Sequence, residues 1–140
     1  MKLRSARANE YVKKIGKKGL FLSIHANAQG NGKEWTNAKG WSVYTTKGQN
    51  NSDVLATYIY KHAEQLLKPN GITMRKDTSD GDVDWEENFT VLVYANMPAV
   101  LTENLFYTNV NDTMFLNSQN GKQLIAKAHV DGVIQYIESL

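Results

Sequence analysis

Two short apolar runs, each ending in a side chain that can carry a proton, constrain this chain more than any other feature. Phe21-Leu22-Ser23-Ile24-His25-Ala26-Asn27-Ala28 delivers His25, and Ala99-Val100-Leu101-Thr102-Glu103-Asn104 delivers Glu103. Runs of this length and apolar content read as strands. Open α/β sheets place their working groups in the crevice beyond the carboxyl ends of such strands. Two of them imply one sheet with a shared crevice. In the first run Leu20, Leu22, Ile24 and Ala26 alternate with Phe21, Ser23, His25 and Asn27. Ser23, His25 and Asn27 are therefore expected on one face.

The 140 residues suit a single domain spanning 1–140. Hydrophobic content of 41% with 21% charged residues is that of a soluble globular chain, and no apolar stretch reaches the roughly 20 residues of a membrane span. A net charge of +2 is too mild to imply nucleic acid as a partner. Lys13, Lys14, Lys17 and Lys18, grouped around Gly16 and Gly19, read as a solvated helix end and turn. The basic amino terminus is followed by no apolar h-region, so no secretory signal is expected in this sequence. The absence of cysteine excludes disulfides, thiolate metal sites and cysteine nucleophiles. Any metal would need histidine and carboxylate ligands.

Around the two runs the pattern alternates helix and strand. Leu3, Ala6, Ala8, Tyr11, Val12 and Ile15 form a helical stripe over residues 3–15. Residues 28–40 read as a long loop before a second strand, Gly40 to Thr45. Asn51 or Ser52 is placed to cap a helix carrying Val54, Leu55, Tyr58, Ile59, His62 and Leu66 on one stripe, stopping before Pro69-Asn70-Gly71. The segment from Asp80 to Glu87 begins like a calcium loop, but Trp85 stands where glycine is needed and Val91 where the twelfth-position glutamate belongs. It reads as a solvated acidic loop. Residues 89–94 fit either a strand or a short helix, Pro98 opens the Glu103 strand, and residues 111–116 fit a capped short helix. From about Asn120 a last helix carries Leu124, Ile125, Ala128, Val133, Tyr136 and Ile137 on one face. His62 and His129 lie on or beside these stripes and are expected to serve packing.

His25 alone suits a hydrogen-bonded structural histidine as well as a functional one. Glu103 is more telling, because a charged carboxylate ending an apolar strand must be paired, metal-linked or held with a raised pKa unless a surface turn releases it into water. The two segments, Ser23-Ile24-His25-Ala26-Asn27-Ala28 and Pro98 through Asn109, resemble the zinc-dependent N-acetylmuramoyl-L-alanine amidases of the amidase_3 family, with S-x-H-x-N followed by P-A-V-L-x-E-x-x-F-x-x-N. Arg4 with Ala8-Asn9, the Gly40–Tyr44 strand, and Asp112 with Leu116 also fit the family's order. The resemblance covers almost the whole chain.

What it implies is a three-layer α/β fold, with a mixed, mostly parallel sheet flanked by helices. It also implies a hydrolase that cuts the amide between N-acetylmuramic acid and the L-alanine of the stem peptide. The substrate partner would be peptidoglycan or a muropeptide, and the parent protein would act at the cell wall or periplasm, exported or phage-delivered. His25 would be a zinc ligand and Glu103 the general base. Asn27 and Asn104 would bind substrate or support the site, Asn27 by holding its loop or by orienting His25. The resemblance also carries a departure. Family members precede this region with a strand bearing a histidine ligand, a helix bearing a glutamate ligand and a second strand, so the fold is expected to be truncated at its amino end and the zinc set incomplete. A fragment, the preferred reading, a degenerate domain, or a sheet completed by another chain would each account for that. Leu105 stands where the family often has glycine. An exposed sheet edge would favour self-association. A non-catalytic wall-binding module is the alternative function.

Overall fold

The computed structural model describes residues 2–140. Its elements are α1 (Lys2–Ile15), β1 (Phe21–Asn27), β2 (Trp41–Thr45), α2 (Asn51–Leu67), β3 (Trp85–Glu86), α3 (Thr90–Val93), β4 (Ala99–Phe106), α4 (Val110–Asn117) and α5 (Gln119–Glu138). The strands lie in the order β1-β4-β2-β3. β1 runs parallel to β4 and β2 parallel to β3, while β2 and β4 are antiparallel. The sheet is therefore mixed and mostly parallel, as the sequence implied. The parallel β1–β4 pairing brings the carboxyl ends of both proton-bearing strands to the same end of the sheet.

Strand alternation divides the residues between two faces. Trp41, Val43 and Val100 pack with Leu55, Ile59, Ala63 and Leu67 of α2 and Ala128 and Tyr136 of α5. Ala99 and Leu101 face the other way, onto Val91 and Leu92 of α3, and α1 lies against α3. Three layers result. The α2–α5 seam depends on Gly132: a Cβ there would sit 2.6 Å from the Ile59 Cα, so only hydrogen allows the helices to approach this closely.

Local chemistry explains the element boundaries, and it corrects four expectations. The N-cap of α2 is Asn50, one residue before the expected Asn51 or Ser52. Its side chain accepts from the Ser52 amide at 2.8 Å, and the Asp53 carboxylate accepts from the Asn50 amide, closing a capping box. Val54 of the expected stripe is 45% exposed, whereas Ala56, Tyr60 and Ala63 are buried. The stripe expected of α1 is also outward: Leu3 and Tyr11 are more than 60% exposed. That helix packs against the four-residue α3, and it is held by polar contacts, Ser5 Oγ to the Val91 carbonyl at 2.8 Å and Asn9 to both Tyr94 and Asn96. Finally, the acidic loop is not solvated throughout, because Asp84 is 1% exposed. β3 has no counterpart among the sequence expectations, and residues 90–93 settle as helix.

Candidate active site

In the β1–β4 ladder His25 is the register partner of Glu103, and in the β2–β4 ladder Ser42 is its partner on the other side. Residues directly opposite one another in a sheet share a face. The sheet therefore sets an imidazole, a carboxylate and a hydroxyl in a row near the carboxyl ends of β1 and β4, opposite the α2–α5 layer. His25 and Glu103 are half-buried, and Ser42 is fully buried.

Glu103 holds no neutralising partner among the described residues, and its Oε2 is buried without a hydrogen bond. Burial pushes its carboxyl up to about 7, because a charged carboxylate loses its hydration there. A carboxyl tuned to neutrality takes and returns protons efficiently at neutral pH. Ser42 Oγ is likewise unpartnered. Such unsatisfied buried polar atoms are costly in a structural core and are concentrated where a substrate or water is to be engaged.

A bulge shapes this end of β4. His25 pairs with Glu103, but Asn27, two residues on, pairs with Phe106, three residues on. The extra residue is accommodated at Leu105, which adopts φ 69°. Plain alternation would aim residue 105 at the Glu103 face. Instead its side chain is fully buried in the α2–α5 core, so the face above Glu103 stays clear.

Hydrogen bonds then fix the strand ends. Asn104 is buried; its Nδ2 donates to the His25 carbonyl at 2.9 Å and to Thr102 Oγ1 at 3.0 Å, while its Oδ1 accepts from Trp41 Nε1 at 2.7 Å. It thus ties β1, β2 and β4 together directly beneath His25. Asn27 Oδ1 accepts from the Ala28 amide at 2.8 Å, and its carbonyl accepts from the Tyr107 amide. It closes the start of the following loop and makes no bond to His25. Asp112, whose place in the site only the folded chain reveals, is buried and accepts from the amides of Gly40 and Phe106 at 2.8 and 2.9 Å. One carboxylate oxygen therefore joins the start of β2 to the end of β4. Ser42 is equally hidden in the sequence, since its neighbourhood depends on the β2–β4 register.

The other histidines lie elsewhere. His129 is buried, with Nδ1 donating to the Ile125 carbonyl at 2.7 Å and Nε2 accepting from Thr102 Oγ1 at 2.8 Å; burial holds its pKa below the usual imidazole value. His62 Nε2 bonds Gln135 Oε1 across the α2–α5 seam at 2.8 Å. Beside His25, the free edge of β1 opens into an apolar groove lined by Ile24, Ala26, Leu116, Ile125 and Val130.

An open α/β sheet with an imidazole and a high-pKa carboxylate side by side at strand ends has the acid–base equipment of a hydrolase. Residues 2–135 match the family model described as Amidase_3, N-acetylmuramoyl-L-alanine amidase, and the chain belongs to that family. It is 32% identical over 136 residues to an endolysin of Bacillus phage SPP1, covering 96% of this chain and 44% of the endolysin. It is 35% identical over 119 residues to N-acetylmuramoyl-L-alanine amidase LytC of Bacillus subtilis strain 168, covering 84% of this chain and 21% of that protein. Among solved structures, an N-acetylmuramoyl-L-alanine amidase from Clostridium difficile 630 superposes with a TM-score of 0.80 at 27% identity, covering 99% of this chain and 65% of the other. The chain spans less than half the length of these two sequence relatives.

The family is generally zinc-dependent. A catalytic zinc takes about three protein ligands and a water. Among the described residues, the His25–Glu103 row supplies one histidine and one carboxylate. Among the described residues, the group of three acidic side chains close enough to share an ion, Asp53, Asp82 and Asp84, does not include either. The row therefore fits part of a zinc site, not the whole ligand set.

Proposed function

We propose that this chain provides the base-bearing half of a peptidoglycan amidase site, which hydrolyses the amide between the lactyl group of N-acetylmuramic acid and the L-alanine of the stem peptide. The observation that carries this reading is the register pairing of His25 with Glu103, whose buried oxygen has no partner. Glu103 acts as general base: it removes a proton from the attacking water and returns it to the departing amine nitrogen. His25 serves as a neutral imidazole ligand to zinc. Zinc, when bound, supplies an acidified water and polarises the scissile carbonyl. Asn104 and Asn27 are positioning residues, the first fixing the backbone that carries His25 and the second the loop that leaves it.

The decisive experiment combines metal analysis with digestion of purified muropeptides. Zinc bound to the protein with release of L-alanine amino groups is expected of the enzyme, and Glu103→Gln should abolish turnover while zinc binding stays largely intact. Equal activity in that variant removes Glu103 from the mechanism. The partial ligand set favours a second reading, a muropeptide-binding module that does not cut; retention of muropeptides without amine release would select it.

The unpaired edge of β1, with Ile24 59% exposed, also supports self-association through that edge. Sedimentation velocity should show a species larger than the monomer. A monomer at every concentration rules this out.

A further inference from the structure

At the far end of β2 from Ser42 lies a cluster that the amidase chemistry does not use. Thr45 ends β2, Asp53 lies in the first turn of α2, and Asp82 and Asp84 lead into β3. One oxygen from each of the three aspartates lies within 4.8 Å of the others. Thr45, Asp53 and Asp84 are all at least 96% buried. The described residues form no ion pair with any of these carboxylates.

The hydrogen-bond inventory of this cluster does not close. Thr45 Oγ1 lies 2.9 Å from Asp53 Oδ1, 2.5 Å from Asp84 Oδ2 and 3.3 Å from the Thr46 carbonyl. A hydroxyl has one hydrogen to donate and ionised carboxylates have none. At most one of these contacts is a hydrogen bond, and the others set lone pair against lone pair. Asp84 Oδ1 and Asp82 Oδ1 are buried without any partner. Thr102, on the neighbouring strand, shows the balanced case: it donates to His129 and accepts from Asn104. The Thr45 cluster instead has an excess of acceptors aimed at one point. Something positive must stand there.

We propose that Asp53, Asp82, Asp84 and Thr45 form a binding site for a hard divalent cation, Ca2+ in particular. The donor set is all oxygen, which suits Ca2+ or Mg2+ rather than zinc. Three carboxylates and a hydroxyl drawn from separate elements favour Ca2+ over Mg2+, which keeps several of its waters and takes only one or two carboxylates. The ligands come from a strand end, a helix start and a separate loop, so this is not the EF-hand arrangement that the Asp80–Glu87 sequence fails to match. Such an ion ties the 75–84 segment to β2 and α2. It also explains why three acids converge with no lysine or arginine among them. The alternative source of positive charge is the proton: burial pushes Asp84 up to about 7 and moves Asp53 upward too.

The test uses the full chain, freed of metal with a chelator, titrated with Ca2+, Mg2+ or Tb3+, in wild type and in a His25→Ala background that disables the proposed zinc position. Ca2+ at a hundredfold excess over its Kd is expected to raise Tm by about 5–10 °C in both backgrounds. Tb3+ should give emission sensitised by the adjacent Trp85 and displaced by Ca2+. Asp84→Asn should remove both signals. Asp82→Asn, at the half-buried member, should raise the Ca2+ midpoint at least tenfold, and it serves if Asp84→Asn does not fold. No Tm response to millimolar Ca2+ and no sensitised Tb3+ emission overturns the proposal and assigns the cluster to shared protons. Responses lost only in the His25→Ala background overturn it as well, because the ion would then sit in the zinc position.

Discussion

The left-handed conformation at Leu105 yields a test with an internal control. Leu105 is fully buried and is the one non-glycine residue with positive φ among those described. Truncating it to alanine removes a core side chain and should cost about 2–5 kcal/mol. The informative step is the next one, from alanine to glycine at the same position. At an ordinary buried strand position that step is unfavourable twice over: glycine's extra chain entropy costs about 0.5–1 kcal/mol and the lost methyl about 0.8 kcal/mol. At position 105 it also relieves a strain of about 1–2 kcal/mol between Cβ and the carbonyl oxygen. The two contributions nearly cancel. Val100, fully buried on the same strand, is the control. Urea unfolding of Leu105→Ala, Leu105→Gly, Val100→Ala and Val100→Gly should show the alanine-to-glycine step costing about 1.3–1.8 kcal/mol at position 100 and close to zero at 105. Equal costs at both positions refute the claim that Leu105 carries backbone strain, and with it the account of how the bulge keeps the Glu103 face clear.

Gly132→Ala should destabilise by about 1–3 kcal/mol, because its Cβ would meet the backbone of Ile59 rather than a movable side-chain tip; an unchanged urea midpoint would show that the α2–α5 seam yields easily. In chelated protein, the raised carboxyls of Glu103 and Asp84, both near 7, make the folded state hold protons more tightly than the unfolded one. Their contribution to stability is therefore full below the unfolded pKa values and is lost as pH rises toward 7. Tm should fall across that window, and Glu103→Gln and Asp84→Asn should each flatten the fall; an unaltered profile in both variants contradicts the assignment.

The legible parts of this structure are those whose signal is local. Alternation in Phe21–Asn27 and the apolar run of Ala99–Phe106 specify strands, and each carries its proton-bearing side chain with it. Pairing those strands in register is a tertiary outcome, so the sequence can name His25 and Glu103 but not Ser42 between β2 and β4. The cap of α2 falls at Asn50 because three consecutive residues can cap, and only Asn50 places Asp53 at the third helical position to close the box. Asp84 reads as solvated because burial of an acid leaves no trace in neighbouring residue types. The two-residue β3 has no period to detect. The role of Asp112 rests on contacts with residues six and seventy-two positions away.

The ties beneath His25 run from Trp41 through Asn104 and Thr102 to His129 and the Ile125 carbonyl, and every group in that chain is neutral. Burial lowers the pKa of His129, which favours its uncharged form. Hydrogen bonds between neutral groups are little affected by ionic strength. The imidazole of His25 is thus mounted on a platform of ties between uncharged groups, while burial pushes the Glu103 carboxyl beside it up to about 7. Alignment and reactivity are governed by separate parts of the sheet, so a change of pH near 7 acts on the carboxyl of the site rather than on the bonds that align it.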